Sequence, residues 1–194
     1  LDEVIEPRAT QEEMTNFIET ELTESLKGLP TRTTQFGRFD KGLAYTILMK
    51  YYMHEKNWAK AEECGRELLK AEYGYGLMDR YADIFTLENE GNKEIIFACT
   101  EERGTNLQLW HDHALPGNYP TKNASIQKWD GYKVPWPFYR TFEEGDDRLS
   151  VLVGEYVGTD GVLFNEESDI AKHGNLYSGA VPVKYGEDPE STGD

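Results

Sequence analysis

Apolar residues recur at three- and four-residue steps near the start of the chain, which is the period of one face of an α-helix. Thr10, with Glu13 three positions later, has the form of a capping box, so a helix should begin there. Gly28-Leu29-Pro30 should end it, because glycine can adopt the left-handed cap and proline cannot continue the hydrogen-bond ladder. The apolar stripe of this first predicted helix comprises Met14, Phe17, Ile18, Leu22 and Leu26.

A second helix is predicted to start at Asp40 and to carry apolar or aromatic side chains over most of its circumference, as in a helix packed between neighbours. After a break at residues 54–56, Asn57 can cap a third helix, whose small residues would let it lie close to the second. The apolar stripe of the third helix, which we expect in the core, comprises Trp58, Ala61, Gly65, Leu68 and Leu69.

The second and third predicted helices resemble a single tetratricopeptide-type hairpin, with tyrosines on one helix and Trp-x-x-Ala-x-x-x-Gly on the other. One hairpin cannot bury both of its faces, and at least three stacked repeats are normally needed for a stable array. We therefore expect this sequence to be part of a longer helical protein.

The pattern changes beyond residue 77. Residues 94–100 form a short apolar run suited to a buried strand, and residues 149–157 indicate a second strand. Residues 103–135 hold glycines, prolines, asparagines and aromatics without a period, which is typical of a long functional loop. The sequence thus predicts a mainly α fold over 1–194, with tetratricopeptide-like helical hairpins at 8–77 and a loop-rich part with short β-strands at 78–194.

The charge of the chain limits the classes of partner that it can bind. Its 36 acidic and 20 basic residues give a net charge of −16, which argues against nucleic acid, because a polyanion needs clustered lysine and arginine. No stretch approaches the ~20 apolar residues of a membrane span. Cys64 in the third helix and Cys99 in the first predicted strand should be small buried side chains rather than halves of a disulfide.

Several short segments follow one another in an order typical of one family. They are residues 7–10, 37–38, 41–42, 57–62, 75–77, 81–85, 89–90, 92–97, 145–148 and 184–185. No single segment is diagnostic, but their order and spacing cover almost all of the chain. On these segments the chain resembles the middle part of the SusD/RagB family of outer-membrane nutrient-binding proteins.

The resemblance implies an incomplete SusD-like fold from a surface-exposed lipoprotein of the outer membrane of a Bacteroidetes-type bacterium. The lipid anchor would lie outside this sequence. The family binds starch or another oligosaccharide, or less often a different nutrient, without catalysis, and delivers it to a SusC-like TonB-dependent transporter. The resemblance implies no cofactor. The localisation and the partner are inferred only by analogy with the family.

Binding of a sugar requires flat aromatics against the apolar face of the ring, and amides or carboxylates for its hydroxyls. The long loop supplies both kinds of residue, and the alternative is that its aromatics pin the loop to the helical layer. Trp136 and Trp58 are assigned to the core instead. The candidate ligand-binding residues are Trp110, Tyr119, Trp129, Tyr132, Asn118, Asn123 and Asp130, with Asn106, Gln108 and Asp112 as further polar groups.

Three other groups of residues could suggest a metal site or catalytic acids, and each has a structural alternative. His111 and His113 would share one side of a strand, where a metal could bridge them, but no third ligand is evident. Residues 160–169 are oxygen-rich without the alternating order of an EF-hand, so we predict no metal and leave calcium as an open alternative. Asp147 beside Arg148 is expected to be a structural salt bridge or cap.

Two rival functions remain. A tetratricopeptide-type scaffold for protein interaction accounts for residues 40–72 only. A glycoside hydrolase needs two carboxylates across the scissile bond, and the sequence shows no nucleophile elbow, phosphate-binding loop or zinc signature of other enzymes. A SusD-like receptor accounts for both the helices and the aromatic loop, so no enzyme activity is expected.

Overall fold

The computed structural model describes residues 7–101, 105, 109–170, 172 and 174–190. The chain divides into two compact units. The first comprises Leu1–Leu77 with Lys93–Cys99, and the second comprises Met78–Asn92 with Thr100–Asp194. Helices hold more of the described residues than strands do, and the strands are short, which confirms the predicted mainly α fold.

The first unit holds the predicted helices α1 (Gln11–Ser25), α2 (Lys41–His54) and α3 (Trp58–Leu68). The capping box of α1 is confirmed: the Thr10 hydroxyl accepts from the Glu13 amide at 3.2 Å, and the Glu13 carboxylate accepts from the Thr10 amide at 2.8 Å. The predicted left-handed cap at Gly28 is wrong. The helix ends earlier, and Gly28 lies in a turn, donating to the Ser25 carbonyl at 3.1 Å, without a positive φ.

Each helix of the α2–α3 hairpin begins at a side-chain cap. The predicted helix start at Asp40 and the predicted cap at Asn57 are both confirmed. The Asp40 carboxylate, 2% exposed, accepts from the amides of Leu43 at 3.0 Å and Thr33 at 3.1 Å. Asn57 caps α3 by accepting from the Lys60 amide at 3.3 Å. The core of the hairpin is formed by Leu48, Tyr52, Ala61 and Cys64, with Leu22, Leu26, Tyr45, Met49 and Tyr51 packed against it.

The predicted apolar stripe of α3 is wrong in part. Trp58 is 62% exposed and Leu69 is 82% exposed, although both were expected in the core. The buried side chains of α3 are Ala61, Cys64 and Leu68, and at 3.6 residues per turn Trp58 and Leu69 fall on one flank of that stripe. The small residues of α3 face α2, while its largest apolar side chains do not.

The strand predicted at residues 94–100 is also wrong. This segment has no regular structure and joins the first unit through irregular contacts. The Gly76 amide donates to the Lys93 carbonyl at 3.1 Å, and the ring of Phe97 lies 5.6 Å from that of Phe39. A backbone bond beside the segment and a ring contact within it join it to the first unit. No strand ladder forms among its described residues, and Cys99 is exposed instead of buried. Cys64 is buried as predicted, and burial raises the pKa of its thiol.

The second unit combines short elements. They are α4 (Trp110–Ala114), β1 (Val134–Pro135), α5 (Trp136–Tyr139), β2 (Leu152–Val153), β3 (Glu155–Val157), β4 (Leu163–Asn165), α6 (Glu166–Ile170) and β5 (Gly179–Pro182). β5 pairs antiparallel with β1 on one side and β2 on the other, with Ala180 opposite Val134 and Pro182 opposite Leu152. β3 and β4 form a separate antiparallel hairpin.

The strand predicted at 149–157 is real but interrupted. Its first residues form a 3-10 helix, Asp147–Val151, and Gly154 separates β2 from β3. A side chain at Gly154 would come 3.1 Å from the Tyr139 hydroxyl, so the close approach of this ring favours glycine. The predicted pairing of Asp147 with Arg148 is replaced by that of Asp146, whose carboxylate caps the 3-10 helix and accepts from the Arg148 guanidinium.

The core of the second unit is built from residues of α4, α5, β3, β5 and the segments between them. Trp136 is 6% exposed, as predicted, and its indole N–H donates to the Leu176 carbonyl at 2.8 Å. At Gly179 a Cβ would lie 2.1 Å from the Val134 carbonyl oxygen, so glycine is required where β5 approaches β1. The core residues are Ala114, Leu115, Ile126, Trp136, Tyr156, Leu176, Ala180 and Val181.

Candidate functional site

Three of the predicted aromatic residues meet around one histidine. The ring of His113 lies 4.6 Å from that of Trp129 and 5.1 Å from that of Tyr132, centroid to centroid. Tyr132 in turn lies 5.5 Å from Trp110. We call Trp110, His113, Trp129 and Tyr132 the aromatic platform.

Helix α4 positions the platform from both of its ends. Trp110 and His113 lie on α4 itself, three residues apart and therefore on one side of the helix. Trp129 and Tyr132 come from the loop that follows Ile126. The carbonyls at the end of a helix lack partners within it, and here the loop supplies them.

The loop amides bond to carbonyls in the last turn of α4 and at Leu115, the residue that follows it. Trp129 donates to Asp112, Asp130 donates to Leu115 at 3.0 Å, and Tyr132 donates to His113 at 2.9 Å. Between them Gly131 also donates to the His113 carbonyl at 2.6 Å, and a Cβ there would stand 3.1 Å from that oxygen. This ladder fixes the path of the loop and with it the positions of both aromatic residues.

The backbone around the platform is strained. Leu109 precedes Trp110 with φ at 52°, and Lys128 and Asp130 flank Trp129 with φ at 58° and 57°. Non-glycine residues adopt this left-handed conformation at an energetic cost, and they cluster at functional sites where the surrounding structure fixes them. Trp129 is therefore presented by two strained residues that its hydrogen-bonded loop holds in place.

The platform has an inner and an outer layer. Trp129 is 51% exposed and Tyr132 is 44% exposed. Trp110 is partly buried: its indole N–H donates to the Pro182 carbonyl at 3.0 Å, and its ring lies 5.5 Å from that of Tyr185. Trp110 supports Tyr132 from beneath, and the outer rings face solvent.

Charged groups beside the platform bond to one another or to the backbone. Asp130 forms an ion pair with Lys133, and the Lys128 ammonium donates to the Tyr119 carbonyl at 2.8 Å. Asp112, 2% exposed, accepts from the Gln127 amide through its carboxylate. Asp112 holds the start of the loop, whereas Asp130 is exposed at the edge of the platform.

Asn118 and Tyr119, which were predicted with the platform residues, belong to a second group. The ring of Tyr119 packs on the core at 5.0 Å from Tyr156. The Asn118 side-chain oxygen accepts from the Tyr156 hydroxyl and from the Asn175 amide, both at 2.8 Å. Burial raises the pKa of Tyr119. This partly buried network braces the β3–β4 hairpin through Tyr156.

The Tyr156 hydroxyl gives this network a pH dependence. Burial is the main reason that the pKa of Tyr156 is raised to about 12. Because the folded pKa exceeds the usual value near 10, the stabilisation is fully present below pH 10 and is lost as the pH rises through 12.

We expect the wild type to lose more stability between pH 8 and pH 11 than Tyr156→Phe does, as measured by urea unfolding at both pH values. The variant should be about 1–2 kcal/mol less stable at pH 8, since two asparagines lose a partner. Equal losses of stability between pH 8 and pH 11 in the variant and in the wild type would contradict this assignment.

Asn123 has a structural environment. It is 3% exposed, its side-chain amide donates to the Asp188 carbonyl at 2.8 Å, and its side-chain oxygen accepts from the Ser125 amide at 2.8 Å. We leave Asn123 out of the site for this reason. Asn106 and Gln108 lie outside the described residues.

The two arrangements that were considered for a metal take different forms in the structure. His111 and His113 lie on α4 and not on a strand, with His111 buried and donating from Nε2 to the Tyr185 carbonyl at 2.9 Å. Asp169 is buried and accepts from the Leu176 amide, while Asp160 lies at the exposed β3–β4 turn. Within the described ranges, no group of three or more His, Cys, Asp or Glu residues is placed to hold a metal ion.

A separate cleft of about 650 Å³ lies beside the β3–β4 hairpin. Two of its lining carboxylates have partners: Glu155 accepts from the Asn165 side-chain amide, and Glu166 pairs with Arg140. It is lined by Trp136, Tyr139, Gly154, Glu155, Asn165, Glu166 and Glu167.

His113 is the platform residue that sequence reasoning missed as a sugar-binding candidate. It was considered only as a metal ligand on a strand. The signal that could have found it is its three-residue spacing from Trp110, which on a helix places the two rings on one face.

Comparison with known proteins gives the fold. No family model and no curated protein matches the chain. Surface glycan-binding protein A from Bacteroides thetaiotaomicron, solved in complex with laminarihexaose, matches with a TM-score of 0.69 at 18% identity over 94% of this chain and 44% of that one. A SusD-like protein from Bacteroides fragilis matches with a TM-score of 0.58 at 24% identity over 73% of this chain and 28% of that one.

A SusD superfamily protein from Bacteroides vulgatus also matches, with a TM-score of 0.58 at 22% identity over 76% of this chain and 32% of that one. The chain therefore spans less than half the length of these solved structures. The likeness shows that the chain has the SusD-like fold. In the described part of the chain, no helix is long and apolar enough to cross a membrane.

Proposed function

We propose that this chain, which has the SusD-like fold, is part of a non-enzymatic receptor that binds oligosaccharide through the aromatic platform. One observation carries the proposal: two half-exposed rings, Trp129 and Tyr132, are held by a strained loop that is hydrogen-bonded to α4. Aromatics that serve only to pin a loop would be buried against the core. The two outer rings of the platform instead remain about half exposed.

The physical basis of binding is the stacking of sugar rings on aromatic faces. A pyranose has an apolar C–H face that gains by leaving water, while its hydroxyls exchange water for protein hydrogen bonds at little net gain. The exposed Asp130 can accept from such hydroxyls at the edge of the platform. Because a small sugar buries little area, we expect dissociation constants in the micromolar range or weaker.

Binding without cleavage fits the groups present at the platform. A glycoside hydrolase places two carboxyl groups roughly 5 to 9 Å apart across the scissile bond. At the platform, Asp130 is paired with Lys133, and Asp112 is buried and holds the Gln127 amide. Among its described residues, the platform therefore lacks the pair of exposed carboxylates that a glycoside hydrolase needs. This supports binding of a sugar rather than its hydrolysis.

The cellular role that we propose is capture at the cell surface. The receptor would be a lipid-anchored protein of the outer membrane, and it would deliver its oligosaccharide to a SusC-like TonB-dependent transporter. The SusD-like fold supports this role, as does the presence of a surface glycan-binding protein among the solved structures of that fold.

Isothermal titration calorimetry of the protein against a panel of oligosaccharides, with chromatography of the sugars afterwards, tests the proposal. We expect saturable binding to one class of glycan and recovery of the sugar at its original length. Cleavage that is abolished by Glu155→Gln or Glu166→Gln in the separate cleft would overturn the non-enzymatic role. Absence of heat with every glycan would overturn glycan binding.

A further inference from the structure

The two exposed rings of the platform are steeply inclined to each other. The Tyr132 ring is inclined by 24° to the His113 imidazole, whereas the Trp129 ring is inclined by 79° to it. The planes of Trp129 and Tyr132 must therefore differ by at least about 55°, which is the difference between 79° and 24°. The two faces cannot form one flat surface.

The inclination is built into the platform. Both outer rings lie against the same imidazole, at 4.6 Å and 5.1 Å. Their backbones are bonded to neighbouring carbonyls of α4, Trp129 to Asp112 and Tyr132 to His113. The Tyr132 ring is further supported by Trp110. A ligand therefore meets two close, inclined faces whose arrangement is set before binding.

We infer that the site selects glycans whose backbone turns between neighbouring sugars and disfavours straight, ribbon-like glycans. The inference rests on the proposed function. Stacking is most favourable when the apolar face of a sugar lies flat on an aromatic ring. In a β-1,4-linked glucan or mannan, successive rings lie near one plane, so the chain can lie flat on one of the two faces but not on both.

A turning glycan can cover both faces at once. In α-1,4- or β-1,3-linked glucans and in α-1,6-linked mannans, the faces of successive sugars rotate about the chain. Neighbouring sugars of one oligosaccharide can then lie against Trp129 and Tyr132 together. Since one stacking contact is worth about a factor of ten in affinity, a turning glycan should bind about tenfold more tightly than a ribbon of the same sugar.

Calorimetric titration with hexasaccharides of matched sugar and different linkage tests the inference. The panel pairs β-1,4-glucohexaose with the α-1,4 and β-1,3 forms, and β-1,4-mannohexaose with the α-1,6 form. We expect a turning member to bind about tenfold more tightly than the ribbon of its own series. Tyr132→Ala should reduce this preference to below about threefold while leaving measurable binding, because only one face remains.

The control variant is Phe138→Ala, which removes an exposed ring that packs on Phe142 and not on the platform. It should keep the full preference. A ribbon hexasaccharide that binds the wild type as tightly as its turning counterpart, or more tightly, would overturn the inference and leave the proposed function standing. Binding to no member of either series, while another glycan of the wider panel binds, would also overturn the inference. Binding to no glycan of any kind would overturn the proposed function itself.

Discussion

Replacing Trp129 by alanine is expected to weaken oligosaccharide binding at least tenfold. Trp129 is the most exposed aromatic of the platform, and a tryptophan face offers a large apolar area at a small cost in side-chain entropy. Loss of a central aromatic anchor typically costs about 2 kcal/mol or more of binding free energy. Calorimetry of the wild type and Trp129→Ala with the same glycan measures the ratio directly.

The matched control for this prediction is Trp58→Ala. Trp58 is 62% exposed on α3, and the proposed site makes no use of it. The control should bind with wild-type affinity. Equal binding by Trp129→Ala and the wild type would remove Trp129 from the site, and an equal loss in both variants would show that the effect does not depend on the platform.

Replacing Trp136 by alanine is expected to lower the free energy of unfolding by about 3–5 kcal/mol. Trp136 fills the core of the second unit and lies 5.3 Å from Tyr139, ring to ring. Its removal leaves a large cavity and also leaves the Leu176 carbonyl without its indole donor. Because a domain has only about 5–15 kcal/mol of stability in total, the change should be evident in urea or thermal unfolding.

Two further variants, Trp136→Phe and Trp129→Ala, serve as controls for this experiment. The phenylalanine of Trp136→Phe retains part of the packing. This variant should therefore lose less free energy of unfolding than Trp136→Ala, and it should still fold. Trp129→Ala should stay within about 1 kcal/mol of the wild type, because its side chain is half exposed. A Trp136→Ala variant as stable as the wild type would contradict the assignment of this residue to the core.

The helix starts could be predicted because their causes are local in sequence. Thr10 and Glu13 satisfy each other across three residues, and Asp40 and Asn57 each bond to an amide three residues ahead. Such contacts need no knowledge of the rest of the fold. The periodicity of α3 identified a helix correctly but not its buried face, because Trp58 and Ala61 both fit an apolar stripe and only packing against α2 selects between them.

The strand predicted at residues 94–100 failed for a different reason. An apolar run of this kind becomes a strand only if another strand pairs with it, and pairing is a property of the whole fold. Here Phe97 packs on Phe39 and the Gly76 amide binds the Lys93 carbonyl, so the apolar side chains are partly covered without a ladder. The sequence contains no signal that distinguishes these two outcomes.

The candidate site could be predicted in composition but not in geometry. Trp110, Trp129 and Tyr132 were grouped because they share an aperiodic stretch, and the structure brings their rings together around His113 and Tyr132. The left-handed backbone at Lys128 and Asp130, which presents Trp129, follows from hydrogen bonds to α4 that no local motif encodes. Asn123 lies in the same stretch, yet it is buried by its contact with the Asp188 carbonyl, sixty-five residues away.

A crystal structure of the protein with a bound oligosaccharide is the most direct test of the platform as a glycan site. We predict that sugar rings lie with their apolar faces against Trp129 and Tyr132, and that a hydroxyl donates to Asp130. An oligosaccharide found instead in the cleft beside Tyr139 and Glu155, with the platform bare, would contradict the account.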